Sequence, residues 1–248
     1  MATRSSAAEE FEMGGADLAT AVRWLENSRF LVAFTGAGMS ADSGVPTFRG
    51  ADGLWRGYRA EELATPAAFE SDREKVIEWY RWRREVVAAA QPHRGHQALA
   101  REETTERRVT VITQNVDGLH QRAGSSDVIE LHGSILINRC HRCGRSREDD
   151  QKGDPDWCSC GGAMRPGVVW FGESLPQQAW RAAETAIAAC DLVLVVGTSA
   201  VVQPAASLLE IAATRRIPII EVNPRPVLTH PVLTLSCRAV DGLSELFG

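Results

Sequence analysis

Four of the six cysteines fall in one short segment, as Cys140-x-x-Cys143 and Cys158-x-Cys160. Four thiolates close a tetrahedral zinc site, and paired knuckles are the usual way a chain presents them. The second pair is one residue shorter than C-x-x-C, which leaves open whether Cys158 completes the set. Cys140, Cys143 and Cys160 are the firmer ligands, and Gly161 and Gly162 give the loop room to adapt. A second chemistry lies at Gly36-Ala37-Gly38, directly after the apolar run Phe30–Phe34. Glycines after a strand let the backbone approach a ligand closely, and a helix start there favours a phosphate. This is a nucleotide site in outline, although the third glycine of G-x-G-x-x-G is absent. A third pattern pairs Tyr80 with Arg83: three residues apart, they share a helix face. A phenol and a guanidinium aimed into one pocket suit a carboxylate, which arginine binds as a charged fork. For Arg81 and Arg84 a solvated helix face is the fair reading.

The elements that must position these groups follow from periodicity. Short runs rich in Val and Ile read as strands at 30–34, 109–112, 192–196 and 217–222. Helical stretches lie between or beside them at 16–28, 72–90, 94–103, 176–189 and 203–214. Strands alternating with helices imply an α/β fold with a doubly wound parallel sheet, whose ligands sit at strand ends. Two segments break the rhythm. Residues 50–92 are mostly helical, and 139–165 are rich in Cys, Gly and charge, with no apolar period to build a core unless a metal supplies the stability. Residues 1–15 read as a loose tail.

The chain has 248 residues, enough for one large domain or a large and a small one. Its net charge of −5 gives no reason to expect nucleic-acid binding. The longest apolar stretch, 192–202, is too short to cross a bilayer, and the N-terminus lacks a secretory apolar core. Clustered cysteines suit a metal site in a reducing cytoplasm better than a disulfide framework. Cys190, just before a strand, reads as a core thiol; His141 reads as solvated, and Cys237 has no assigned task.

Three further segments join the glycine stretch, which continues to Arg49: Thr113-Gln114-Asn115-Val116-Asp117-Gly118-Leu119-His120, Glu130-Leu131-His132-Gly133-Ser134, and Gly197-Thr198-Ser199. In this order, with the cysteine cluster between the second and third, the chain resembles a sirtuin, an NAD-dependent protein-lysine deacylase, from about Leu18 to the C-terminus. The resemblance implies a Rossmann-like NAD-binding domain (16–49, 93–138 and 166–248) and a smaller inserted domain made of a helical module (50–92) and a structural zinc module (139–165). It implies His132 as the base that activates a ribose hydroxyl, with His120 as its rival, and Asn115 and Asp117 as the pair orienting the nicotinamide end. It places Gly36, Ala37, Gly38, Ser40, Phe48, Arg49, Trp55, Gln114, Gly197, Thr198, Ser199, Asn223 and Ala239 around NAD. Val169 and Phe171 would pack on the lysine methylenes, beside a segment where an extended peptide adds as a strand. Tyr80, Arg83 and the small Ala64 match the class of sirtuins that removes succinyl, malonyl and glutaryl groups, with acetyl removal alongside. The expected partners are proteins bearing acylated lysines. An acetyl-only deacetylase, an ADP-ribosyltransferase and an NAD-sensing regulator are the alternatives, and the oligomeric state is left open.

Overall fold

The computed structural model describes residues 15–47, 54–55, 57–148, 157–229 and 232–248. The chain begins with α1 (Gly15–Asn27), β1 (Phe30–Thr35) and the single-turn α2 (Gly38–Ala41). A hairpin of β2 (Leu54–Trp55) and β3 (Tyr58–Arg59) leads to α3 (Ala60–Leu63), α4 (Pro66–Ser71), α5 (Arg73–Ala89) and α6 (Arg94–Arg101). Then come β4 (Arg108–Thr113), α7 (Leu119–Ala123), β5 (Val128–Glu130), β6 (Gly133–Cys140), β7 (Ser146–Glu148) and β8 (Met164–Val168). The chain closes with α8 (Gln177–Ala189), β9 (Leu192–Val196), a 3-10 turn, α9 (Leu208–Thr214), β10 (Ile219–Val222), β11 (Leu233–Leu235) and α10 (Ala239–Phe247).

Six strands form one parallel sheet in the order β11-β10-β9-β1-β4-β5. Chain order runs outward from β1 in both directions, which is the doubly wound Rossmann arrangement. The central strands are near-continuous apolar runs because helices cover both faces: every residue of β9 and β10 is buried. Even Glu221 is fully buried in β10, where its carboxylate accepts the N–H groups of Val227 and Leu228 at 2.8 and 3.2 Å. One core packs α1, α6 and α10 against one face, around Leu31, Val111, Leu194 and Leu243. The other packs α8 and α9 against the opposite face, around Phe34, Ile187, Val195 and Leu208.

A smaller unit sits beside the sheet. Here β6 pairs antiparallel with β7 and β8, and α3–α5 pack on it around Phe69, Trp79, Tyr80 and Trp170. Sequence signals set these helices. Thr65 caps α4 by accepting the Ala68 N–H at 3.1 Å, with Pro66 as first helical residue. Asp72 caps α5 through the Lys75 N–H at 3.1 Å. His141 is only partly solvated: its side chain is 28 % exposed, and its ring packs 5.2 Å from that of Phe69 on α4 and 6.2 Å from that of Trp170. Cys190 and Cys237 are buried core thiols. No described helix is long and apolar enough to cross a membrane.

Candidate functional site

The strand ends on either side of β1 open into a cavity of about 730 Å³, within the ~300–1,000 Å³ range of ligand pockets. This is the switch point of the sheet, where connections leave β1 in opposite directions and a crevice forms. Its wall brings together Gly36, Ala37, Gly38, Gln114, Asn115, His132, Gly197, Thr198, Ser199, Asn223 and Ala239 at one end. Ala64, Tyr80, Arg83, Val169 and Phe171 line the other. Phe48, Arg49 and the Trp55 side chain lie outside the described residues.

The glycine loop is shaped by a neighbouring loop. Gly38 donates its N–H to the Gly197 carbonyl at 2.8 Å, and Gly36 donates to Val196 at 3.0 Å. A Cβ on Gly38 would stand 2.8 Å from the Gly197 Cα, closer than side chains tolerate. These glycines therefore let the β1 and β9 loops touch, closing the floor of the crevice.

His132 precedes a forced turn. Gly133 has φ +72°, and a Cβ there would lie 2.2 Å from the Gly167 carbonyl oxygen. Only glycine fits, and the turn leaves His132 in the cavity wall. Its Nδ1 lies 3.0 Å from the Gln114 carbonyl oxygen. A carbonyl only accepts, so Nδ1 carries the proton and Nε2 holds a lone pair. Burial holds the imidazole below its ordinary value, against the opposing pull of that carbonyl, so the ring is neutral near pH 7. His120 is different: it is 1 % exposed, absent from the wall, and hydrogen-bonded to Thr35 at 3.0 Å.

Asn115 donates both amide hydrogens inward, to the Gly36 carbonyl and the Ser40 hydroxyl, each at 3.0 Å. Ser40 in turn donates to Asp117 at 2.7 Å. Asp117 also accepts the Leu119 N–H at 2.9 Å, and burial raises its carboxyl above the usual range. Ser40 and Asp117 are buried beneath the wall rather than in it. Across the crevice, Gln114 donates to the Thr198 hydroxyl at 3.0 Å and Asn223 to the Thr198 carbonyl at 2.8 Å. Ala239 opens α10, whose first N–H groups have no partner within the helix.

At the far end, Tyr80 and Arg83 are buried at 1 % and 4 % exposure. The Arg83 guanidinium lies 4.7 Å from the Trp79 ring centroid and 5.1 Å from that of Tyr80. Burial raises the Tyr80 phenol, so it stays protonated, and draws Arg83 down, with Tyr80 and Asp117 opposing. Beside them, the N–H groups of Val169 and Phe171 are taken by the carbonyls of His132 and Ala64, at 2.8 and 2.9 Å. The Trp170 N–H is taken by Glu173 at 2.8 Å. A peptide laid along this segment has its carbonyls, not these N–H groups, to pair with. Thr47, within the glycine stretch, also lines the cavity, as do Gln203, Arg225 and Arg238, whose local sequence does not set them apart.

The four cysteine sulfurs lie within 4.8 Å of one another. Cys140 and Cys160 are 3.5 Å apart, and Cys143 and Cys158 3.8 Å. A tetrahedron with Zn–S bonds of about 2.3 Å needs about 3.8 Å between sulfurs, so the set fits zinc with Cys158 included. Its C-x-C spacing is accommodated by the turn in which Gly161 donates to the Cys158 carbonyl at 2.8 Å. The Cys160 backbone N–H, above all, pulls the Cys158 thiol down to about 6.

Compared with known proteins, residues 36–204 match the Sir2 family. The chain is 53% identical over 211 residues to NAD-dependent protein deacylase 2 of Pyrobaculum aerophilum, covering 84% of this chain and 85% of that protein. It is 49% identical over 225 residues to NAD-dependent protein deacylase 1 of Archaeoglobus fulgidus, covering 89% and 92%. A solved Sir2 homologue in complex with NAD superposes with a TM-score of 0.85 at 47% identity, over 92% of each chain.

Proposed function

The chain belongs to the Sir2 family and is an NAD-dependent protein deacylase, and on that footing we propose that it removes succinyl and malonyl as well as acetyl groups from lysine side chains, releasing nicotinamide and 2′-O-acyl-ADP-ribose. The observation that carries the acyl assignment is the buried Tyr80–Arg83 pair in the cavity wall. Arg83 presents a guanidinium at this end of the cavity, which binds a carboxylate as a charged fork, and an acetyl group has no charge to offer it. A terminal carboxylate does. Ala64 keeps the entrance to this end small-sided, and Val169 and Phe171 give the lysine methylenes apolar contact.

NAD supplies a carbon carrying a good leaving group, at which the acyl oxygen can bond. The residues do the rest. The β1 and β9 loops, with Thr198, Ser199, Asn223 and Ala239, form the bed for the dinucleotide. Gln114 ties two parts of this bed together: its side chain holds Thr198 and its carbonyl holds His132. That carbonyl fixes the tautomer, so His132 Nε2 takes a proton from a ribose hydroxyl as general base. Asn115 spends both amide hydrogens inward and offers Oδ1 to the ligand. Ser40 and Asp117 act one step removed, holding Asn115 in that orientation. In our reading, Phe48, Arg49 and Trp55 belong to the NAD site, with Arg49 pairing with the pyrophosphate or steadying the leaving group.

The NAD-binding domain comprises 16–49, 93–138 and 166–248; the helical module 50–92 and the zinc module 139–165 form the small domain. Zinc on Cys140, Cys143, Cys158 and Cys160 would hold that module together without entering the reaction. We place the enzyme in the cytoplasm, where thiols stay reduced, acting on proteins with acylated lysines. The test is Arg83→Met. Losing a hydrogen bond to a charged group costs about 1.5–3 kcal/mol, roughly 10- to 150-fold in kcat/KM. That loss is expected on succinyl-lysine peptide and not on acetyl-lysine peptide. Equal losses on both refute the pocket.

A further inference from the structure

One buried side chain next to the acyl end has no part in the account above. Trp170 is 2 % exposed and lines the same cavity. Its indole Nε1–H donates to the Tyr80 hydroxyl oxygen at 2.9 Å. The Arg83 guanidinium lies 5.1 Å from the Tyr80 ring centroid. A tyrosine hydroxyl has one hydrogen and two lone pairs, whereas indole and guanidinium nitrogens only donate. With the indole donating to one lone pair, the Tyr80 O–H points away from Trp170 and is left to donate to another group. A carboxylate can only accept.

The indole is itself held on several sides. Glu173 accepts the Trp170 backbone N–H at 2.8 Å and binds Arg139 and Arg165 at 2.6 and 2.5 Å. The Arg165 guanidinium, its side chain 1 % exposed, lies 3.6 Å from the Trp170 ring centroid. The Phe69 ring lies 5.2 Å away. So much anchoring on a residue whose one polar atom points at Tyr80 is hard to account for by packing alone, since a phenylalanine would fill a core without it.

We propose that Trp170 is a positioning residue for acyl selectivity: its indole N–H occupies the Tyr80 oxygen and thereby fixes the Tyr80 O–H as a donor to the terminal carboxylate of the acyl group. The inference rests on the acid-pocket reading and extends it to a residue that does not itself touch the carboxylate. It also gives the Arg139–Glu173–Arg165 network a task, which is to hold the indole in register.

The experiment is steady-state kinetics on succinyl-lysine and acetyl-lysine peptides for the wild type, Trp170→Phe, Tyr80→Phe, the double variant and Arg83→Met. Trp170→Phe is expected to lower the succinyl-to-acetyl ratio of kcat/KM by roughly 3- to 10-fold, the scale of one hydrogen bond. The loss should fall mainly on KM for the succinyl peptide. In the Tyr80→Phe background the same change should move the ratio less than about 2-fold, because the group it acts through is gone. Trp170→benzothienylalanine, which keeps the ring shape and lacks the N–H, should reproduce the shift even where Trp170→Phe fails to fold. Equal losses on both peptides, or the same shift with and without the Tyr80 hydroxyl, would overturn the inference. If Arg83→Met collapses the ratio and the Trp170 variants do not, only this inference falls. If Arg83→Met leaves the ratio unchanged, the acid pocket falls and takes the inference with it.

Discussion

Acidification should destabilise this protein well before its carboxylates are protonated, because of two histidines under the crevice. His96 is fully buried, and neither ring nitrogen has a hydrogen-bond partner among the described residues. Its ring lies 4.2 Å from that of His93 and 5.0 Å from that of His120. His120 is 1 % exposed and bonded through Nε2 to Thr35. Burial, reinforced by neighbouring imidazoles, pushes His96 down to about 2 and His120 down to about 3. A histidine with a depressed folded value contributes stability that is whole above the unfolded value near 6.5. The contribution declines as pH falls below that, because only the unfolded chain takes up the proton. Between pH 7 and pH 5 this linkage removes about 2 kcal/mol for each ring, about 4 kcal/mol for the pair. Urea unfolding at pH 7, 6 and 5 measures it. Carboxylates and thiols titrate too, so the decisive comparison is with His96→Phe, whose loss between pH 7 and 5 should be smaller than the wild type's by about 2 kcal/mol. Identical losses in the two proteins, or an NMR titration placing His96 near 6.5, would refute the reasoning.

The other predictions concern the chemistry and the metal. His132→Ala should lower acyl-ADP-ribose formation by roughly 10²- to 10⁴-fold, the usual contribution of a positioned base, while NAD affinity measured by calorimetry changes little; full activity would remove His132 from its role. The purified protein should carry one zinc per chain by elemental analysis, and a strong chelator should lower its melting temperature, since a closed thiolate site contributes folding energy. Cys158→Ser should lose zinc as completely as Cys143→Ser; full retention would mean that the short second knuckle supplies one ligand only.

Much of this was legible in the residues, and the failures have physical causes. The strands at 30–34, 109–112, 192–196 and 217–222 are legible because a sheet covered on both faces needs near-continuous apolar runs. β5 and β11 did not, being three residues each and only partly buried. α10 was hidden by Gly242, which reads as a helix breaker. The structure puts it there because a Cβ would lie 2.6 Å from Val222. The cysteines announced zinc, but spacing alone could not decide Cys158, which depends on a turn fixed by the fold. The partial cover of His141 has no local signal, because it comes from the Phe69 ring of α4. Motif order brought His132 and Asn115 forward, yet no pattern distinguishes Asn115, in the wall, from Ser40 and Asp117, just beneath it. The polarity of the Tyr80 hydroxyl is invisible for the same reason. It depends on Trp170, ninety residues away, and no local pattern links the two residues.

The most direct test of the central claim is a paired assay of the purified protein on succinyl-lysine and acetyl-lysine peptides, with and without NAD, following nicotinamide and the fate of labelled ADP-ribose. The account predicts NAD-dependent nicotinamide release on both peptides, higher on succinyl, with the label recovered as acyl-ADP-ribose. Release on acetyl alone would contradict the acid pocket. Label on protein, or no release on either peptide, would contradict deacylation itself.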